Sequence, residues 1–303
     1  MSTPRVWLIT GANSGLGLHL SLYALSKGDK VIAAARDVSK LPPSLKGAHP
    51  FVLNPSASTE EIRSAAGKAP LVYGRIDVLV NNAGYGHLSP LEYLKDEDLR
   101  VQFQTNVFGP VTIMQAILPT MRAQKSGHIL NVSSIAGFAG NPPFCAYNAS
   151  KAALDAFTDA LSVEVAAFGI RVNTIVPGYF PTSFLSTALS TADTERLAVG
   201  AYTLPEQGYG VFQNVHQIHL DQKQVGDVQK AVARIWEFVA GEGLTKGLAP
   251  SQGGKREWVR LPLGPDCGAR MRAKIGLLKE TVDAYEPIWS STDVDHDKLK
   301  NFM

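Results

Sequence analysis

Residues 6–17, with the sequence VWLITGANSGLG, decide the fold that we expect for this chain. The run from Val6 to Ile9 is short and wholly apolar, which is typical of a strand buried on both faces of a parallel sheet. A glycine-rich turn follows it, and the pattern over residues 16–25 predicts a helix. A strand, a glycine turn and a helix N-terminus direct free backbone N–H groups and the helix dipole to one point. The stretch therefore predicts a binding site for an anion such as a pyrophosphate.

The three glycines of this turn have different predicted roles. Gly11 permits the tight turn, Gly15 lets the backbone approach a phosphate, and Gly17 lets the helix pack on the strand. A glycine-rich turn can also be ordinary loop chemistry. Its position directly after a buried strand favours the anion site.

Three more motifs lie at the end of a predicted strand or at the start of a predicted helix. Asn81-Asn82-Ala83-Gly84 follows one apolar run, and Ser133-Ser134 ends another. Tyr147 and Lys151 are four residues apart at the start of a long helical pattern, so the phenol and the ammonium share one helix face. A nearby cation stabilises a phenolate and lowers its pKa, which would let Tyr147 act as a general acid or base. A solvated helix face with the same spacing is the alternative.

In this order and at these spacings, the motifs resemble those of the short-chain dehydrogenase/reductase family, in its NADP(H)-preferring branch of hydroxysteroid- and retinol-type oxidoreductases. The resemblance implies an α/β fold, a Rossmann-type doubly wound parallel sheet of about seven strands with helices on both faces. It implies a single domain over residues 1–303. Within it we expect a cofactor and catalytic core at 5–182, a substrate lid region at 183–226 and a C-terminal helix-strand-helix extension at 227–303.

The resemblance also implies a catalytic set of four residues, Asn106, Ser134, Tyr147 and Lys151. Ser134, thirteen positions before Tyr147, is expected to polarise the substrate carbonyl, whereas Ser133 is only its neighbour. Tyr147 gives or takes the proton, while Lys151 lowers the pKa of Tyr147 and binds the nicotinamide ribose. Asn106 bends its helix around a water that links Lys151 to solvent; a helix-capping asparagine is the alternative.

The expected cofactor is NADP(H), because of the residues that end the second predicted strand. Relatives that prefer NAD carry an acidic residue at the position of Ala35, and Arg36 follows it here; a guanidinium pairs well with a 2′-phosphate. Arg36 could instead be an ordinary loop arginine, and Ser14 stands where some NADP-dependent relatives have a second basic residue. The cofactor-binding residues that the resemblance implies are Gly11, Asn13, Ser14, Gly15, Leu16, Gly17, Arg36, Asn54, Asn82, Ala83, Gly84, Tyr147, Lys151, Pro177, Gly178, Phe180 and Thr182.

Aromatic residues predict a fairly large apolar substrate, a ketone or a secondary alcohol. The lid region contributes some of them, including Tyr202, Tyr209 and Phe212. His87 could be a second proton donor at the pocket mouth or simply a polar lining residue. His216 and His219 lack further ligands at metal spacing, so we expect no metal. The expected substrate-pocket residues are Tyr85, Phe138, Phe144, Tyr179 and Phe184.

Composition narrows the remaining possibilities. The chain has 303 residues and a formal net charge of +2, from 29 basic and 27 acidic residues, so nothing points to nucleic acid. Cys145 and Cys267 cannot form a disulfide framework. No apolar run approaches the roughly 18 residues of a membrane span. The first strand begins too early to leave room for a targeting peptide. We therefore expect a cytoplasmic protein. The resemblance implies a homodimer or homotetramer built on the Asn106 and Tyr147 helices.

Two other functions fit parts of the pattern. One is an enzyme that keeps NADP(H) but catalyses a non-redox or reduction-coupled step, such as epimerisation or cyclisation. The other is a nucleotide-sensing interaction protein, which would tolerate the loss of Tyr147 or Ser134. Both residues are present, which favours the oxidoreductase.

Overall fold

A computed structural model of the chain describes residues 3–191, 210, 213–214, 217–218, 220–221, 223–248 and 259–293. Its centre is one sheet of seven parallel strands in the order β3-β2-β1-β4-β5-β6-β7. The strands are β1 (Val6–Thr10), β2 (Lys30–Ala35), β3 (His49–Val52), β4 (Val78–Asn81), β5 (Gly127–Val132), β6 (Ile170–Pro177) and β7 (Arg260–Leu263). The sheet confirms the predicted doubly wound parallel architecture. The strand order reverses between β1 and β4, which is where such folds bind ligands.

Helices cover both faces of the sheet. They are α1 (Gly15–Ser26), α2 (Thr59–Ala66), α3 (Pro70–Tyr73), α4 (Asp96–Phe103), α5 (Gly109–Gln124), α6 (Ile135–Phe138), α7 (Cys145–Glu164), α8 (Phe184–Leu189), α9 (Val228–Ala240), α10 (Pro265–Ala284) and α11 (Glu286–Ser290). Successive residues of a strand face opposite sides of the sheet. Trp7 and Ile9 accordingly pack with α1 and α9, whereas Val6 and Leu8 pack with α2 and α5. Both faces of β1 are therefore buried, as its apolar sequence predicts.

The helix that carries Asn106 has two parts in the structure. Residues Gln104–Phe108 form a π-helical turn, and α5 continues from Gly109. Two features limit the backbone geometry at the start of α5. One is Pro110. The other is the backbone of Pro55, which a Cβ on Gly109 would meet at 2.3 Å. The wider turn places Asn106 in the interior, close to the loop after β4.

Candidate active site

A cavity of about 560 Å³ lies at the carboxyl edge of the sheet. Loops that follow six of the strands line it, with Gly11 after β1, Arg36 after β2, Asn54 after β3, Asn82 after β4, Ser134 after β5 and Gly178 after β6. Because parallel strands bring their carboxyl ends to one edge, motifs far apart in sequence meet at this cavity.

The glycine turn has the geometry of an anion-binding loop. Gly11 and Gly15 have φ angles of +64° and +54°, a region in which residues other than glycine are strained. The Ser14 side chain makes no capping hydrogen bond, and the first turn of α1 contains no acidic residue. The start of α1 therefore suits a pyrophosphate group.

Hydrogen bonds fix the loop after β4 to the glycine turn. Asn82 Nδ2 donates to Thr10 O at 2.9 Å, and Thr10 Oγ1 accepts from the backbone N–H groups of Asn82 and Ala83, each at 3.0 Å. A Cβ on Gly17 would lie 2.4 Å from Asn82 Nδ2 and 2.5 Å from Gly11 O, so α1 sits too close for any side chain. Sequence reasoning missed the part that Thr10 plays, although its position before Gly11 marks the end of β1.

Two basic side chains and one acidic side chain surround the outer end of the cavity. Arg36 is exposed and lines it, as does Lys40, which sequence reasoning did not single out. Asp37 Oδ1 accepts from the N–H and hydroxyl groups of Ser39 at 3.0 and 2.6 Å, which lowers the pKa of the carboxylate. Val38–Lys40 form a turn of 3₁₀ helix, and Lys40 Nζ lies 3.9 Å from Asp37 Oδ2.

The Tyr147–Lys151 pair lies at the inner end of the cavity, and both residues are buried. Lys151 Nζ is 5.7 Å from the centroid of the Tyr147 ring and donates to Val132 O at 2.7 Å. A Cβ on Gly84 would lie 3.4 Å from Lys151 Nζ and 3.0 Å from Asn106 Oδ1. A side chain at position 84 would therefore crowd both groups.

Asn106 supports the site from behind and does not line the cavity. Its Nδ2 donates to Tyr85 O at 2.9 Å and to Ser150 Oγ at 3.1 Å, while its Oδ1 accepts from Tyr85 N at 3.2 Å. The π-helical turn makes these contacts possible because it turns Asn106 inward. Asn106 is thus a link between the loop after β4 and the helix of Tyr147.

Burial dominates the electrostatics of the pair. It raises the pKa of Tyr147, with the Ser134 hydroxyl acting in the opposite direction. It lowers the pKa of Lys151 to about 8, opposed by the charge of Asp155. Desolvation of the phenolate is the largest effect on the pKa of Tyr147, so the net shift is upward, and the lowering effect of Lys151 on this pKa stays a prediction.

The two adjacent serines are directed differently. Ser134 begins α6 and lines the cavity, where its Oγ accepts from Ala136 N at 3.1 Å. Ser133 is buried, and its Oγ donates to Lys151 O at 3.4 Å, which ties β5 to α7. Ser134 is the more accessible of the two hydroxyls.

Four of the five residues predicted for the substrate pocket line the cavity, namely Tyr85, Phe144, Tyr179 and Phe184. The centroid of the Tyr147 ring lies 5.2 Å from that of Phe184 and 6.1 Å from that of Phe144.

The prediction for Phe138 is wrong. The short helix α6 turns this ring away from the cavity, and it packs against the cluster of Ile135, Val176 and Cys267.

Most of the predicted cofactor residues also line the cavity, together with Tyr147 and Lys151; they are Gly11, Asn13, Ser14, Gly15, Leu16, Arg36, Asn54, Asn82, Ala83, Gly84, Pro177, Gly178, Phe180 and Thr182. Gly17 lies behind the turn. His87 does not line the cavity; its Nε2 is 3.8 Å from Asp98 Oδ2, and burial lowers its pKa. Tyr202, Tyr209, Phe212, His216 and His219 lie outside the described residues.

The described part of the chain lacks two features that would indicate other functions. No group of three or more His, Cys, Asp or Glu side chains there is arranged to hold a metal ion. Among the helices of that part of the chain, none is both long enough and apolar enough to span a membrane.

The fold and the site correspond to a known class of protein. The sequence profile of the short chain dehydrogenase family matches residues 5–193, so the chain belongs to this family of oxidoreductases, whose fold binds a nicotinamide cofactor. Over 193 residues the chain is 42% identical to oxidoreductase claN of Passalora fulva, a match that covers 62% of this chain and 88% of that protein.

Solved structures agree with the family assignment. A short-chain dehydrogenase from Streptomyces avermitilis superposes with a TM-score of 0.78 at 29% identity, covering 96% of this chain and all of that one (100%). A metagenomic short-chain oxidoreductase, solved in complex with NADP, is 33% identical, with a TM-score of 0.53 over 57% of this chain and 81% of its own.

Proposed function

We propose that the chain is an NADP(H)-dependent oxidoreductase that interconverts a ketone and a secondary alcohol on a fairly bulky apolar substrate. The observation that carries the proposal is the single cavity, which joins the glycine turn, Ser134, the Tyr147–Lys151 pair and an aromatic wall. The residues at each end of the cavity fit the corresponding part of NADP(H).

The proposed reaction divides the work between cofactor and protein. A bound nicotinamide supplies or accepts the hydride. Ser134 donates a hydrogen bond to the substrate oxygen, and Tyr147 donates a proton to that oxygen as negative charge develops on it. The Tyr147 phenol carries its proton at neutral pH, so it can be the donor in ketone reduction; burial raises its pKa and opposes formation of the phenolate, which the nearby Lys151 ammonium would stabilise. Lys151 and Asn106 support the route by which a new proton reaches Tyr147.

The proposed preference for NADP(H) depends on charge at the outer end of the cavity. Arg36 and Lys40 both line this end, and a 2′-phosphate needs such cations. Asp37 Oδ1 accepts from Ser39 and Asp37 Oδ2 lies 3.9 Å from Lys40 Nζ, so the charge of this carboxylate is partly balanced; the position where NAD-dependent relatives carry their acidic residue is Ala35. The NADP complex of the metagenomic relative is consistent with this preference.

The proposed substrate class follows from the wall of the cavity. Phe144, Phe184, Tyr85 and Tyr179 offer apolar surface beside Tyr147, which favours a large hydrophobic ketone over a small polar one. A homodimer or homotetramer is part of the proposal, supported by exposed apolar side chains such as Phe108 and Phe157 next to α5 and on α7.

A comparison of Tyr147→Phe with wild type tests the reaction. We expect wild-type protein to consume NADPH with bulky alicyclic ketones and hardly with acetone. Tyr147→Phe should bind NADPH nearly normally and lose about 10²–10⁴-fold in turnover, because it lacks the proton. Tyr179→Phe, in the same cavity, is the matched control and should lose far less. Wild-type turnover by Tyr147→Phe would refute the mechanism, and consumption of no ketone despite tight NADPH binding would favour the non-redox alternative.

A further inference from the structure

The C-terminal helices α10 and α11 extend from the body of the protein. The first turns of α10 pack on it, where Cys267 is buried and Arg270 donates to Ala139 O. From Leu277 to Asp293 every residue is exposed. A helical segment of this length is marginal in water without tertiary packing. Within the described part of the chain, no residue packs on this segment, which leaves its apolar side chains available to a partner.

One face of this helical segment carries a regular apolar row. We name it the C-terminal seam, and its members are Met271, Ile275, Leu278, Val282, Tyr285 and Trp289. They alternate in steps of four and three residues, which is the spacing of a coiled-coil contact line. The last five are between 45% and 57% exposed. The helix changes direction at Tyr285, but Trp289 Nε1 donates to Val282 O at 3.0 Å, which keeps the row on one face.

Charge along the segment indicates what covers the C-terminal seam. The half near the body is basic, with Arg270, Arg272 and Lys274. The far half is acidic, with Glu280, Asp283, Glu286 and Asp293. Helices that bind membrane surfaces carry Lys and Arg along their whole polar face. The reversal of charge instead fits a second helix of the same sequence running in the opposite direction.

We propose that the C-terminal seam binds the same seam of a second copy of this chain, as an antiparallel two-stranded coiled coil. With the two-fold axis at Glu280, Leu278 lies opposite Val282 of the partner subunit and Ile275 opposite Tyr285 of the partner subunit. Met271, which also packs on the cluster of Ile135, Val176 and Cys267, begins the row at the body and then lies opposite Trp289 of the partner subunit. In the same register Arg272, which flanks the seam, lies beside Glu286 of the partner subunit. One symmetric arrangement therefore matches the apolar row and pairs Arg272 with Glu286, while Lys279, close to the two-fold axis, keeps Asp283 of its own helix as its ion-pair partner.

This contact is separate from the interface on α5 and α7. It uses only residues beyond 270, and the cavity contains none of the seam residues. Loss of the seam contact should therefore halve the mass of the assembly and leave cofactor binding in place.

Two neighbouring leucines provide the principal test. Leu278 belongs to the seam, whereas Leu277 is 55% exposed on a different face of the helix. The mass of the full-length protein is measured by sedimentation velocity and light scattering, with NADPH titration as the control for folding. We expect Leu278→Glu to halve the mass and Leu277→Glu to leave it unchanged. Equal masses for wild type and both variants would overturn the proposal.

A charge exchange tests the direction of pairing. Arg272→Glu places like charges beside each other in the antiparallel register and should weaken the assembly. Adding Glu286→Arg to the same chain should restore it, since the pair is re-formed with reversed signs. A double variant no stronger than Arg272→Glu alone would contradict the antiparallel register. Binding of wild type, but not Leu278→Glu, to vesicles of anionic lipid with no difference in mass would assign the seam to a lipid surface and overturn self-association.

Discussion

Gly17 offers the sharpest test of how the cofactor turn is built. Gly17→Ala adds one methyl group inside α1, a change that would ordinarily stabilise a helix by about 1 kcal/mol. Here the added Cβ would lie 2.4 Å from Asn82 Nδ2 and 2.5 Å from Gly11 O, whereas an ordinary contact begins near 3.4 Å. The Asn82 side chain, the Gly11 backbone or α1 itself therefore has to move by about 1 Å.

Neither neighbour of Gly17 can move freely. Asn82 Nδ2 donates to Thr10 O and Gly11 O, so its movement would break the link between the loops after β1 and β4. Overpacking of this kind costs about 1–3 kcal/mol. If that strain is relieved by displacing the turn, NADPH affinity should fall about tenfold to a hundredfold, since each 1.4 kcal/mol is about a factor of ten.

Fluorescence titration with NADPH, together with urea unfolding, measures both parts of this prediction. Gly268→Ala is the matched control: it is also a glycine within a helix, but no atom lies within 4 Å of its added Cβ. It should stabilise the protein by about 0.5–1 kcal/mol and leave NADPH affinity unchanged. Wild-type affinity in Gly17→Ala, or an equal loss in Gly268→Ala, would refute the reasoning.

Three further predictions address charge, pH and the substrate wall. Arg36→Asp should weaken NADPH binding about tenfold to a hundredfold in titrations, since a charged hydrogen bond contributes about 1.5–3 kcal/mol. NADH binding should be little affected. An unchanged preference for NADPH over NADH would contradict this prediction. Burial lowers the pKa of His128 from 6.5 to about 3, so the unfolded state takes up the proton first and stability falls as pH drops through this window. His128→Gln, which can still bond Asn173, should lose less stability than wild type between about pH 7 and pH 5 in urea unfolding, and parallel losses would contradict it. Phe144→Leu should raise KM for bulky ketones severalfold, whereas Phe138→Leu should lower stability by about 1 kcal/mol with KM unchanged; the reverse pattern would contradict the assignment of these rings.

Much of the fold and of the site could be predicted from the sequence. The apolar strands and the turn that follows each of them determine which loops meet at the carboxyl edge of the sheet. For this reason Gly11, Asn82, Ser134 and Tyr147, which are far apart in the chain, could be assigned to one cavity. The close contact of Gly17 with Asn82 follows from the same motif spacing.

The parts that sequence reasoning missed depend on local backbone geometry and on burial. Phe138 was assigned to the substrate pocket, but the four-residue helix α6 rotates it onto Cys267. Lys40 was overlooked because only the short turn at Val38–Lys40 brings it to the cavity that Arg36 also lines. The direction of the pKa shift of Tyr147 depends on how deeply the phenol is buried, which residue spacing does not reveal.

The C-terminal helix shows a different limit of sequence reasoning. It spans Pro265–Ala284 and is the second helix of the helix-strand-helix extension that the sequence predicts for residues 227–303. Its apolar residues do not by themselves indicate whether the chain's own body covers them. The exposure of residues from Leu277 onward in the structure is what leads to the proposal of a partner for the C-terminal seam.

Titration of the purified wild-type protein with NADPH and with NADH, followed by nicotinamide fluorescence, tests the central claim most directly. The account predicts saturable binding of both, with NADPH tighter by about tenfold or more, because Arg36 and Lys40 have a 2′-phosphate to contact only in NADPH. Tighter binding of NADH would show that these cations do not read the 2′-phosphate. Binding of neither nucleotide would contradict the assignment of the cavity as a cofactor site.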